Sequence, residues 1–173
     1  MRQMVCSHLF RAPLGVPCFL RIFRLGLLLL WIGHGHAGDG VVSLAVEGSD
    51  FRATHEALVE AVEAEGLVVG AVIPFGRMLD RTAGAGEAVA SPYAEAEIVQ
   101  FCSAGIAWQM VSEDPAQIAF CPLSVAIYVV AAEPDRVTMV YRATGGATPA
   151  RAKADALLFR LVERAGELAR LRW

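Results

Sequence analysis

Apolar and polar positions along the chain change period several times, and each change marks an element. Val41 to Glu47 alternates, with Val42, Leu44 and Val46 on one face and Ser43 and Glu47 on the other. That pattern predicts a half-buried strand, ended by Gly48. Beyond Ser49 or Asp50, either of which can cap a helix, the period lengthens. Phe51, His55, Leu58 and Val62 form one stripe, Glu56, Glu60 and Glu63 the solvated one, and Gly66 follows as a stop after Glu65. Leu67 to Ile73 is a near-continuous apolar, β-branched run closed by Pro74, which predicts a second, better covered strand. Gly76 to Ser91 is rich in Gly and Ala and has no clear period, so a long loop or flap is expected, with a binding pocket beneath it.

The next stretch contains the cysteines around which the chain is organised. Ser91 and Pro92 are placed to open a helix whose stripe would be Ala94, Ile98, Phe101, Cys102, Gly105 and Trp108, turning Cys102 inward. This helix is expected to end near Ser112, and Asp114, Pro115 and Gln117 to form one further capped turn. Pro122 disfavours the α region for Cys121, which is therefore expected on extended chain at a strand entrance. Leu123 to Ala131 and Arg136 to Arg142 alternate on either side of Glu133, Pro134 and Asp135, which predicts a hairpin. Thr148 and Pro149 open a last helix with Ala154, Leu157, Leu158, Leu161, Ala165 and Leu168 on its inner stripe. The order lacks a regular βαβ alternation. It predicts an α+β two-layer sandwich, with an about four-stranded, mainly antiparallel sheet and helices packed on one face.

Composition adds a location. The 173 residues are 55 % apolar with a mean hydropathy of +0.48, and the N-terminus accounts for part of that excess. Arg2, Arg11, Arg21 and Arg24 are the only charges before Asp39 and precede the apolar run Leu25 to Ile32, with Gly35 and Ala37 flanking His36. This predicts a signal peptide over residues 1–37, cleaved near Ala37, and a periplasmic or secreted product. The run is too short for a bilayer core of about 30 Å, so no stable membrane span is expected after cleavage; retention of the leader as an anchor is the alternative. Residues 38–173 are then a single α+β domain with eleven basic against eighteen acidic residues, a formal charge of −7. An acidic domain without a Lys/Arg cluster argues against nucleic acid as a partner. His55 is the one histidine left, which removes most His-based triads and multi-histidine metal sites. No phosphate loop, dinucleotide fingerprint or nucleophile elbow occurs, so the prior for an enzyme falls, and no cofactor or metal is implied.

The segment FRATHEALVEAVEAEG (Phe51 to Gly66), followed by a strand and then FC, DP, FCP, IYVV and VTMVYR, resembles the domain-of-unknown-function family numbered 302 over Val41 to Arg142. The resemblance implies a small α+β domain, often secreted in bacteria, that can form dimers. It implies no assigned reaction and no catalytic residue.

Cys102 and Cys121 are separated by eighteen residues, outside the C-x-x-C spacing of redox motifs. A disulfide is the natural expectation in an oxidising compartment, where closing such a loop stabilises by about 3 kcal/mol in the chain-entropy model. Two buried free thiols, or a reactive or metal-binding pair, are the other readings. His55 is a core or cleft residue unless a thiol lies beside it. Phe101, Trp108, Phe120 and Tyr128 either line a pocket between helix and sheet or fill the core. Tyr93, Glu95 and Glu97, at the expected helix start, either meet a cation or solute or simply suit the helix dipole. Arg136 and Arg142 are a solvated face or an anion contact. The ligand-binding candidates are thus His55, Phe101, Cys102, Trp108, Cys121 and Tyr128. The first reading is a secreted, non-catalytic domain that binds a small molecule or a protein partner, with a homodimer as one form of it. The alternative is a thiol-dependent redox or metal-handling protein using Cys102 and Cys121, with His55 assisting.

Overall fold

The computed structural model describes residues 40–83 and 90–172. The expected leader and its cut near Ala37 lie outside the described residues. β1 (Val41–Val46) leads into α1 (Phe51–Ala64), β2 (Val68–Ile73), α2 (Phe75–Thr82) and β3 (Tyr93–Cys102). α3 (Ala104–Glu113), a 3-10 segment (Pro115–Phe120), β4 (Leu123–Val130), β5 (Val137–Arg142) and α4 (Pro149–Leu171) follow. Three caps form where polar residues precede apolar runs. Asp50 accepts from the Ala53 N–H at 2.7 Å, Asp114 from Ala116 at 2.9 Å, and the Thr148 hydroxyl from Arg151 at 3.3 Å. Gly66 follows α1 at φ +72°, a left-handed conformation that strains any residue with a Cβ.

The strands form one antiparallel sheet in the order β1-β5-β4-β3-β2. The α+β class is as expected, with five strands in place of about four. α1 and α4 pack against each other and against one face of the sheet. Ala57, Leu58, Ala61 and Val62 of α1 meet Ala154, Leu157, Leu158 and Leu161 of α4 over Val99, Val125, Ile127 and Met139 of the strands, all buried. The alternation of β4 is complete: Leu123, Val125, Ile127 and Val129 are buried, and Ser124, Ala126, Tyr128 and Val130 are half-buried on the opposite face.

The additional strand is β3, which replaces the helix expected from Ser91. Its residues satisfy helical spacing, yet Val99 and Phe101 also alternate with Ile98 and Gln100. Backbone pairing with β2 on one side and β4 on the other selects the extended form. The Ser91 hydroxyl accepts from Tyr93 N–H at 3.1 Å, which turns the chain into the strand instead of capping a helix. The helix starts later, at Ala104. Phe101 and Trp108 therefore share no stripe: Phe101 is buried under the helices and Trp108 is 74 % exposed on α3. Cys102, expected to face inward, is exposed at the end of β3. The segment expected to be an irregular loop from Gly76 opens as α2, and residues 84–89 within it lie outside the described residues.

Candidate functional site

Strand alternation turns charges toward the helices. Val99 and Phe101 point into the core, and Glu97 and Glu95, opposite Ile127 and Val129 of β4, point to the same side. Carboxylates on the covered face of a sheet are costly to desolvate, so they need a partner or a route to water. Both are present. His55, one turn into α1, places Nδ1 3.0 Å from Glu97 Oε2, and each side chain retains 26 % exposure. The pair meets ion-pair distance without the alignment of a hydrogen bond.

α2 forms the opposite wall. β2 pairs only with the second half of β3, from Ile98 to Cys102, and α2 then lies beside the first half. Contact there is close because Gly76 has no side chain: a Cβ at that position would lie 3.1 Å from the Ala96 backbone nitrogen. Arg77 and Asp80 of α2 thereby border a hollow of about 140 Å³ with Phe51, Glu95 and Glu97. A wider hollow of about 470 Å³ lies beside it, bordered by Phe51, Arg52, His55, Glu56, Val72 and Glu97. A third, of about 340 Å³, shares Phe51 and Glu95. The two larger volumes fall in the range of small-ligand sites, about 300–1,000 Å³. Phe51 is the common wall of all three. On the rim Arg52 is paired with Glu56 at 2.9 Å, which leaves Arg77 facing Asp80, Glu95 and Glu97. The groove between α1, α2 and β3 is therefore acidic, with apolar surface supplied by Phe51, Val72 and Pro74.

Of the residues singled out from sequence, His55, Glu95 and Glu97 lie in this groove. Phe101 is core. Tyr128 is on the opposite face of the sheet, edge-on to Tyr93 at 5.4 Å, and Tyr93 meets Phe75 at 6.3 Å. Phe120 lies under the Arg151 guanidinium, 4.5 Å from ring centroid to Cζ. Phe101, Trp108, Phe120 and Tyr128 thus do not converge on one pocket. Arg136 is in the turn, 3.4 Å from Glu133, and Arg142 is exposed on β5. The pocket expected beneath the Gly76 to Ser91 loop falls partly outside the described residues. The groove lies against α2, at the start of that segment, and includes Glu95 and Glu97, which the sequence pattern places at a helix start as dipole partners or as contacts for a cation or solute. The alternation Glu95, Glu97, Val99, Phe101 is the signal that would have located them.

Cys102 and Cys121 are free thiols, set beside each other where β3 ends and the chain enters β4. Burial, and after it the neighbouring Cys102, pushes the Cys121 thiol above its ordinary range. His55 is not with them. Its partner Glu97 precedes Cys102 by five residues on one strand, a separation of about 17 Å. Among the described residues no group of three or more His, Cys, Asp or Glu could hold a metal ion, and no helix is long and apolar enough to cross a membrane.

The family model for the domain of unknown function DUF302 matches residues 42–155. Among solved structures, an uncharacterized conserved DUF302 protein from Bacillus stearothermophilus is similar, with a TM-score of 0.57 and 15 % sequence identity over 75 % of this chain and 98 % of that chain. At that identity the likeness shows the fold alone. No curated protein matches the chain.

Proposed function

The chain belongs to the DUF302 family, and from the chemistry of its groove we propose that it is a non-catalytic binding domain for a small organic cation. The observation that carries this reading is Glu97, turned onto the helix-covered face of the sheet and met by His55 at 3.0 Å, on the floor of a groove with an aromatic wall. A ligand ammonium or guanidinium would pair with Glu97 and Glu95, and its apolar part would rest on Phe51, where a cation–π contact adds about 0.5–2 kcal/mol. The basic N-terminal residues followed by the apolar run Leu25 to Ile32 support a periplasmic or secreted setting for this capture.

Calorimetric titration with agmatine and spermidine, against carboxylic acids of similar size, tests the proposal. Cations should bind, and Glu97→Gln should weaken them about tenfold or more, as loss of a charge-assisted hydrogen bond does. Binding confined to the acids, or equal affinity in the variant, would refute it.

A homodimer is the second reading, supported by the other face of the sheet. At its centre Ile98, Ala126 and Val140 are half-buried and border a shallow hollow. Sedimentation of the native chain and of Ala126→Glu decides it: a dimer that dissociates in the variant supports the reading, and a native monomer removes it.

A further inference from the structure

The excursion between β3 and β4, made of α3 and the 3-10 segment, leaves and rejoins the sheet at two thiols. Phe101 and Leu123 are the last cross-strand pair of that ladder. Cys102 stands one residue beyond it on β3, and Cys121 two residues before it on the β4 side. That register sets the two residues beside each other at the base of the excursion, near enough for Cys102 to oppose ionisation of Cys121. The excursion is fastened to α4 independently of the thiols. Lys153 Nζ donates to Gln109 at 2.6 Å, the Ala150 N–H to Glu113 at 3.0 Å, and Arg151 stacks on Phe120. The thiols are therefore held together without needing a covalent bond.

We propose that Cys102 and Cys121 are a reversible dithiol–disulfide site, oxidised by exchange with a small-molecule or protein disulfide, that clamps the base of this excursion. The order of events follows from exposure. Cys102, the exposed thiol, attacks as thiolate one sulfur of the oxidant disulfide, forming a mixed disulfide and expelling the oxidant's other sulfur as a thiolate, which takes up a proton. Cys121, half-buried and disfavoured as a thiolate by that burial, then gives up its proton, attacks the Cys102 sulfur and releases the second oxidant thiol. Two protein thiols are oxidised and one disulfide is reduced to two thiols. Trp108 and Ile118, the large exposed apolar side chains of the excursion, ride on the segment being clamped. This site is separate from the groove and does not depend on the ligand proposed for it.

Peptide-resolved alkylation of the full chain tests the proposal and reports Cys6 and Cys18 at the same time. Protein equilibrated with a reduced dithiol should label at both Cys102 and Cys121. Equilibrated with glutathione disulfide, it should lose label at both together and yield a linked Cys102–Cys121 peptide. Cys121→Ser should stop at a glutathione adduct on Cys102, and Cys102→Ser should form one on Cys121 about tenfold more slowly, in keeping with its burial. Full labelling of both peptides in the native chain under both conditions overturns the site, as does linkage of either thiol to Cys6, Cys18 or another chain. Equal adduct rates in the two variants overturn the order of attack.

Discussion

Gly76 and Gly105 are each the second residue of a helix, α2 and α3, and the same substitution should act on them with opposite sign. Alanine is preferred over glycine in a helix by about 0.5–1 kcal/mol, largely because glycine loses more backbone freedom on folding. At Gly105 a Cβ would meet no atom within 4 Å, so Gly105→Ala should keep this gain. At Gly76 it would lie 3.1 Å from the Ala96 nitrogen and 3.5 Å from the Ala96 oxygen. Neither atom can rotate aside, since Ala96 is paired with Tyr128 in the β3–β4 ladder. α2 would have to lift from the strand by a few tenths of an ångström, and overpacking of this kind costs about 1–3 kcal/mol. Set against the propensity gain, Gly76→Ala should lose about 1–2 kcal/mol. With a urea m-value of about 2 kcal/mol/M, the midpoint should fall by about 0.5–1 M for Gly76→Ala and rise by about 0.3 M for Gly105→Ala. Urea titrations followed by circular dichroism, with m unchanged, measure both. If the two midpoints move in the same direction, the close seating of α2 on β3, and the groove it walls, is wrong.

Phe101→Ala should destabilise by about 3–5 kcal/mol and Trp108→Ala by no more than about 0.5 kcal/mol, because one ring is core and the other is in solvent; comparable losses in urea unfolding would contradict the strand assignment of residues 93–102. Glu113 is held below its ordinary range chiefly by the Thr148 hydroxyl, with help from the Ala150 N–H and Gln117 and from the charge of Lys153, against a desolvation that acts the other way. A carboxylate lowered in the folded state contributes stability that is complete above its unfolded pKa, about 4.3, and is lost as pH falls through the folded value. The native chain should therefore exceed Glu113→Gln in stability at neutral pH and converge with it in acid; a gap that widens on acidification would reverse the assigned sign.

Much of the fold is legible in the sequence because local signals and tertiary packing agree over most of its length. Asp50, Asp114 and Thr148 cap the segments that follow them, and β4 buries alternate residues from Leu123 to Val129 as its pattern requires. Tyr93 to Cys102 is different: positions 94, 98, 101 and 102 fit a helical stripe while 97, 99 and 101 fit a strand face. Local spacing does not separate the two, and the partners that do, β2 and β4, are brought in only by folding. The six apolar and polar residues chosen as ligand candidates scatter for the same reason. Phe101 and Trp108 would share a stripe on one helix, and on a strand followed by a helix they do not.

The groove follows from the same alternation. On a helix, Glu95 and Glu97 would occupy its first turn, where the dipole satisfies them without any ligand. On β3 they share a face with Val99 and Phe101, whose burial contributes about 1.5–3 kcal/mol each and fixes which face turns inward. A one-residue slip of β3 would present Ala96 and Ile98 to α1, turn Glu97 outward and expose Phe101. The core therefore sets the register, and the register carries Glu97 to His55. What makes that position tolerable is the shortness of β2, which stops opposite Ile98 and leaves the first half of β3 to α2, a wall open enough to keep both carboxylates in contact with water. The acidic groove is thus where the apolar alternation of one long strand runs past the end of its neighbour.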